Sequence, residues 1–172
     1  MKTKNLVLCA MFIALGVIFP QLFHMIPQGG ILFSPMHIPV LICGLLVGPL
    51  EGLICGLVTP FLSNIVFQMP PAPRLPGMLV ELAVYGLVAG LMMKLLKNKE
   101  GMAKIYISLI VAMLAGRIVA GLVNAFILNA GNYSLNAWIT GYFVTGIIGI
   151  VSHLIIIPII VRALQKANLS TI

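Results

Sequence analysis

The sequence predicts an all-α membrane protein, a bundle of six transmembrane helices with both the N- and the C-terminus cytoplasmic. Three observations predict it: the composition, six separable apolar segments, and the placement of the basic residues. Of 172 residues, 61% are hydrophobic and only 8% charged. A soluble domain carries about 25% charged residues, because its surface must face water. A mean hydropathy of +1.17 leaves too little polar material to cover this chain, so its solvent is lipid. Residues 1–172 are expected to form a single transmembrane domain, since no part of the chain is polar enough to fold alone in water.

The elements follow in order. The first apolar segment runs from Asn5 to Phe23, behind Lys2 and Lys4. It has the look of a signal peptide, yet it lacks a clear small-residue cleavage site and more apolar segments follow, so it reads as an uncleaved first span. The Pro/Gly-rich stretch His24–Pro35 comes next. The second segment, Met36 to Gly48, is short, and Gly48-Pro49 separates it from the third, Leu50 to Phe67. Each of these is shorter than the ~20 residues a straight span needs. Two spans are nevertheless expected rather than one re-entrant hairpin, because only then does the charge count work. The loop Gln68–Pro76 reads QMPPAPRLP. The fourth span covers Gly77 to Leu96, the charged turn Lys97–Lys104 follows, the fifth runs to Asn129, and the sixth from Asn136 to Leu164.

With the N-terminus inside, Lys2, Lys4, Lys94, Lys97, Lys99, Lys104, Arg162 and Lys166 are cytoplasmic, and Arg74 alone occupies an external loop. Eight against one obeys the positive-inside rule, and shifting by one span inverts it. The net charge of +7 is therefore a membrane signature. Nucleic-acid binding is excluded, because the cations form no stripe and no aromatics interleave them. Cys9, Cys43 and Cys55 lie in separate apolar stretches without metal-ligand spacing, so they are expected as small buried residues. Small residues recur four apart: Ala10/Ala14, Gly44/Gly48, Gly52/Gly56, Gly86/Gly90 and Ala112/Gly116/Ala120. Such faces serve either packing within the bundle or docking of another protein.

An ionisable group inside a span is costly and faces a cavity or a partner. The set is Glu81, Arg117 and His153, with Thr59, Ser63, Asn64, Tyr85, Asn124, Asn129, Trp138, Tyr142 and Thr145 as uncharged companions. Glu81 and Tyr85 share a helix face, as do Arg117 and Asn124, and Trp138, Tyr142, Gly149 and His153 form one stripe. Glu81, Asn64, Asn124, Asn129, Trp138 and Tyr142 fall within about two turns of the external helix ends, with Arg117 and His153 deeper. Three helices thus aim polar groups toward what would be one apolar pocket open to the outside and roofed by the external loops. Competing readings stand beside this one: a buried Glu81–Arg117 structural pair, interfacial positions for Trp138 and Tyr142, and a packing role for His153. Glu51 is expected to be solvated at the cytoplasmic interface, and Arg74 to lie at headgroup level. HExxH, GxSxG and Walker A motifs are missing, so no catalytic residue, metal or cofactor is assigned, and energy for uptake must come from a partner or an ion gradient.

Size, six spans, the AxxxA of Ala10 and Ala14, the run SPMHIPVLICGLLVGPLEGLICGLVTPFLSNIVFQMPP, and ELAVYGLVAGL on span four together carry a family resemblance. The chain resembles, over nearly its whole length, the substrate-binding S components of energy-coupling factor (ECF) importers, prokaryotic vitamin transporters. The resemblance implies residence in the bacterial cytoplasmic membrane and high-affinity capture of a water-soluble vitamin or precursor from outside. It further implies delivery by toppling onto a transmembrane coupling subunit that carries two ATPases, with Ala10 and Ala14 meeting that subunit. Its ligand region implies a lid at Gln28–Phe33 and contacts from Glu81, Tyr85, Arg117, Asn124, Trp138 and Tyr142; Asn64 and His153 join them from the polar-face pattern. Arg117 with asparagines would suit the carboxylate of pantothenate, Glu81 a B6 vitamer or thiamine precursor, and the aromatics riboflavin. A stand-alone secondary transporter or channel, a small membrane enzyme and an assembly subunit are the rival classes.

Overall fold

The computed structural model describes residues 3–23, 29–97, 101–128 and 134–172. Every regular element among them is helical: α1 Thr3–Ile18, α2 Gly29–Phe33, α3 His37–Leu46, α4 Pro49–Phe67, α5 Leu75–Leu95, α6 Met102–Val123, α7 Leu135–Ile139 and α8 Ile147–Lys166. A 3₁₀ turn, Phe19–Phe23, prolongs α1, where Pro20 has no N–H for an α-helical bond. π-helical segments prolong α6 at Asn124–Leu128 and follow α7 at Thr140–Val144. Pro49 and Pro76 occupy the first turns of α4 and α5, where a missing N–H costs nothing. Gly48, at φ 147°, turns the chain from α3 into α4 with a backbone that a side chain would strain.

Among the described residues, five helical stretches are long and apolar enough to cross a membrane: Thr3–Phe23, Pro49–Phe67, Leu75–Leu95, Met102–Leu128 and Ile147–Lys166. Their outward faces are apolar, with Leu6, Val7, Phe61, Ile65, Ile118, Leu122, Ile155 and Ile159 all exposed, as contact with acyl chains requires. The expected second span is shorter than a crossing. α3 has ten residues, about 15 Å of helix, half the ~30 Å hydrocarbon thickness. All ten are buried, so α3 meets protein rather than lipid and is not bound by the length rule. The expected sixth span is also not one helix. It breaks at Thr145–Gly146 between the π segment and α8, so the stripe expected from Trp138 to His153 runs over two differently wound pieces.

α3 is the axis of the bundle, enclosed by α1, α4, α5 and α8. Glycines set its spacing. A methyl group on Gly44, Gly52 or Gly86 would collide with the facing backbone at Gly86 or Gly52, and one on Gly56 with the Leu82 carbonyl. In lipid, such backbone approach replaces the hydrophobic drive that water would supply. The small-residue pairs on α3 to α6 are thereby used up in internal packing, whereas Ala10 and Ala14 are exposed on α1.

Both described chain ends lie at one end of the bundle. Lys4 donates to the Asn168 carbonyl (3.0 Å), and the Thr171 N–H caps the α3 carbonyl of Leu46 (2.8 Å). Glu51 is here too, but buried rather than solvated: Asn5 donates to its Oε1 at 2.9 Å. Cys9, Cys43 and Cys55 are buried and free, and Arg74 is exposed.

Candidate functional site

The opposite half of the bundle gathers the polar residues. Glu81 and Tyr85 stand one turn apart on α5, and the Tyr85 hydroxyl donates to Glu81 Oε1 at 2.9 Å. His37, the first residue of α3, brings Nε2 to 3.8 Å from the same oxygen. The His37 ring also meets Tyr85 edge-on (5.4 Å between centroids) and stacks on His153 of α8 (5.9 Å). Gly116 of α6 makes this possible, because a side chain there would occupy the space of the Tyr85 ring. A carboxylate withdrawn from water costs several kcal/mol unless donors surround it, and the tyrosine and histidine are what α5 and α3 supply.

Arg117, next to Gly116, is buried, with its guanidinium 5.5 Å from the Phe143 ring centroid. No ion pair joins it to Glu81; among the described residues the carboxylate pairs with His37. The Nε of Arg117 and the Nδ1 atoms of His37 and His153 are buried without a hydrogen-bond partner among the described residues. Buried polar atoms are nearly always satisfied, so three orphans in one cluster call for explanation. Trp138 donates its indole N–H to the Arg117 carbonyl (3.1 Å) and packs edge-on against Phe143 (5.4 Å). Gly121 leaves the room for that indole. Asn124 opens the π segment of α6 and donates to the Tyr142 hydroxyl (3.1 Å) and to the Ala120 carbonyl (2.8 Å). π-helical turns inside α-helices are frequent at functional sites.

The chain between α2 and α3 closes over the cluster. Ser34 holds φ at 44°, in the left-handed region, and its carbonyl accepts both the His37 backbone N–H (3.0 Å) and the His153 Nε2–H (3.3 Å). Gly149 of α8 lets the Leu32 and Phe33 backbone approach. Tyr85 and His153 are essentially fully buried, so the cluster is shut.

Of the residues expected at the site, Glu81, Tyr85, Arg117 and His153 are brought together, with Trp138, Tyr142 and Asn124 linked beside them. Asn64 is not linked to them: its amide donates to the Pro70 carbonyl (2.7 Å) and ties the α4–α5 loop. Asn129 and Gln28 lie outside the described residues. His37, Ser34 and Phe143 were not foreseen. His37 carried a signal, an ionisable residue inside an apolar segment, but it sits one residue from that segment's edge.

A model of the ECF transporter substrate-specific component family matches residues 4–161. The chain belongs to that family. This S component is thus a multi-pass membrane protein and a transporter subunit rather than an enzyme. S components bind small substrates and work with a membrane coupling subunit and ATPases. Neither a curated protein nor a solved structure matches the chain.

Proposed function

We propose that this S component captures a water-soluble vitamin or vitamin precursor at the outer, histidine-bearing half of its bundle and delivers it to an ATPase-driven coupling complex. The observation that carries the reading is Arg117, a buried guanidinium with an unpaired Nε beside two histidines whose Nδ1 atoms are also unpaired. A ligand acceptor group there would form charge-assisted hydrogen bonds, which contribute about 1.5–3 kcal/mol each. A carboxylate fits that demand, and Glu81 already has Tyr85 and His37 beside it. Pantothenate is therefore the first candidate, with B6 vitamers, thiamine precursors and riboflavin as its competitors. Ser34 and α2 act as the lid, released from His153 when the site opens.

In this reading the chain makes six passages, in a bacterial plasma membrane, with both termini cytoplasmic. Five long helices alone would leave the ends on opposite sides, whereas Lys4 bonds to Asn168. α3, enclosed by protein rather than lipid, makes the sixth passage. The positive-inside count then sets the orientation. Ala10 and Ala14 form the docking face for the coupling subunit, since theirs is the exposed small-residue pair. Toppling toward that subunit is cheap for a bundle whose lipid-facing surface carries so few charges.

The test is thermal unfolding of the purified protein against a panel of B vitamins and precursors. A ligand at a thousand times its dissociation constant stabilises by about 4 kcal/mol. One clear hit, weakened by Arg117→Gln, is the expected result. A well-folded protein stabilised by none of the panel would sink the vitamin assignment.

A further inference from the structure

At the end of the bundle that carries both termini, α6 and α8 leave a depression of about 310 Å³, lined by Met102, Ile159, Arg162, Ala163 and Lys166. Its wall is two cations and three apolar side chains. Arg162 and Lys166 are one turn apart on α8, both exposed, and neither has an ion-pair partner among the described residues. α6 begins beside them. Gly101 enters it at φ 78°, and among the described residues no side chain caps its first turn and no acidic residue occupies that turn. Its first N–H groups and the positive end of its dipole therefore remain available to an anion. Arg162 leans across this helix start: a Cβ on Gly101 would lie 4.0 Å from its Nη1. Ile159 forms its apolar wall, and Ile155, one turn earlier on α8, is exposed beside it.

We infer that this α6–α8 cleft binds one anionic phospholipid. The headgroup phosphate sits between the start of α6, Arg162 and Lys166, and an acyl chain lies along Ile159 and Ile155. Two cations without an ion-pair partner among the described residues select against a zwitterionic headgroup. The apolar wall facing the bilayer selects a lipid over a free phosphate, because a soluble anion would leave three of the five lining residues without a partner. The site is separate from the polar cluster and does not depend on the vitamin assignment.

Native mass spectrometry of the full-length protein, delipidated in detergent and re-exposed to defined lipids, tests this. Wild type should retain one phosphatidylglycerol, roughly tenfold or more in preference to phosphatidylcholine, given about 1 kcal/mol per basic residue. R162Q/K166Q should lose that preference. A163L, which keeps both charges and fills the cleft, should lose the bound lipid. Circular dichroism of both variants without lipid should show wild-type unfolding, and K166Q alone should show an intermediate preference. Equal retention of the two lipids by wild type would overturn the inference, as would undiminished phosphatidylglycerol retention in A163L. Displacement by equimolar glycerol phosphate would overturn it in favour of a free anion site.

Discussion

The two halves of the bundle are built differently. Around α3 and the glycine seam of α4 and α5, backbone meets backbone and all ten α3 residues are buried. At the other end, neither π segment, Asn124–Leu128 nor Thr140–Val144, contains a single buried residue. The Leu46 and Val47 carbonyls at the end of α3 are capped by Thr171, whereas His37, at the other end of the same helix, keeps an unpaired Nδ1. The close-packed half holds such an atom too, Asn5 Oδ1. The other is wound irregularly around buried groups whose hydrogen bonding is incomplete. That is the division expected of a scaffold and the binding end it supports.

The largest effect should come from breaking the scaffold. Gly86→Val drives a side chain into the Gly52 backbone, and overpacking of this kind costs on the order of 3 kcal/mol or more. It should lower the unfolding temperature sharply or prevent recovery of monodisperse protein. Gly141→Ala, at a position with nothing within 4 Å of the new methyl, should change neither. If both glycines behaved alike, the contrast between the halves would fail.

Arg117→Gln should leave the unfolding temperature of the ligand-free protein near wild type and weaken ligand binding roughly 10- to 100-fold, the worth of a charge-assisted hydrogen bond. Calorimetric titration separates the two quantities. Loss of stability and affinity together would make Arg117 a structural residue. Ala10→Leu/Ala14→Leu should keep ligand affinity and reduce co-purification with the coupling subunit by about tenfold or more, because the exposed α1 face would be roughened rather than the core. A fall in stability instead would place that face inside a packed interface. Trp138→Phe should have the smallest effect. It keeps the ring against Phe143 and loses one donor to the Arg117 carbonyl, about 1 kcal/mol of stability, seen as a small fall in unfolding temperature.

The sequence made the class of fold legible because hydropathy reports solvent directly, and lipid leaves few choices of backbone. It made Glu81, Arg117 and His153 legible because ionisable groups in apolar segments are rare enough to stand out, and Tyr85 because it lies one turn from Glu81. Three things were hidden. That protein rather than lipid surrounds α3 was hidden, since burial inside protein and burial in lipid select the same side chains. The break at Thr145–Gly146 read as continuous helix, since π winding leaves no mark on hydropathy. Which small-residue pair faces outward was open, because Ala10/Ala14 and Gly52/Gly56 have the same spacing and differ only in what lies opposite them. Asn64 and Glu51 show the reverse error: each polar side chain was read by its type, and each is occupied by a local partner, the Pro70 carbonyl and Asn5.

The central claim is that the irregular half is where ligand binds, and the chain carries its own reporter. Trp138 is the single tryptophan, and it lies against Phe143 and the Arg117 carbonyl. Its intrinsic fluorescence should be titrated with the vitamin that stabilises the protein. The account predicts a saturable change in emission whose midpoint matches the calorimetric affinity, shifted to higher concentration in Arg117→Gln. Ligand binding seen by calorimetry with no change in Trp138 emission would place the ligand elsewhere and contradict the account.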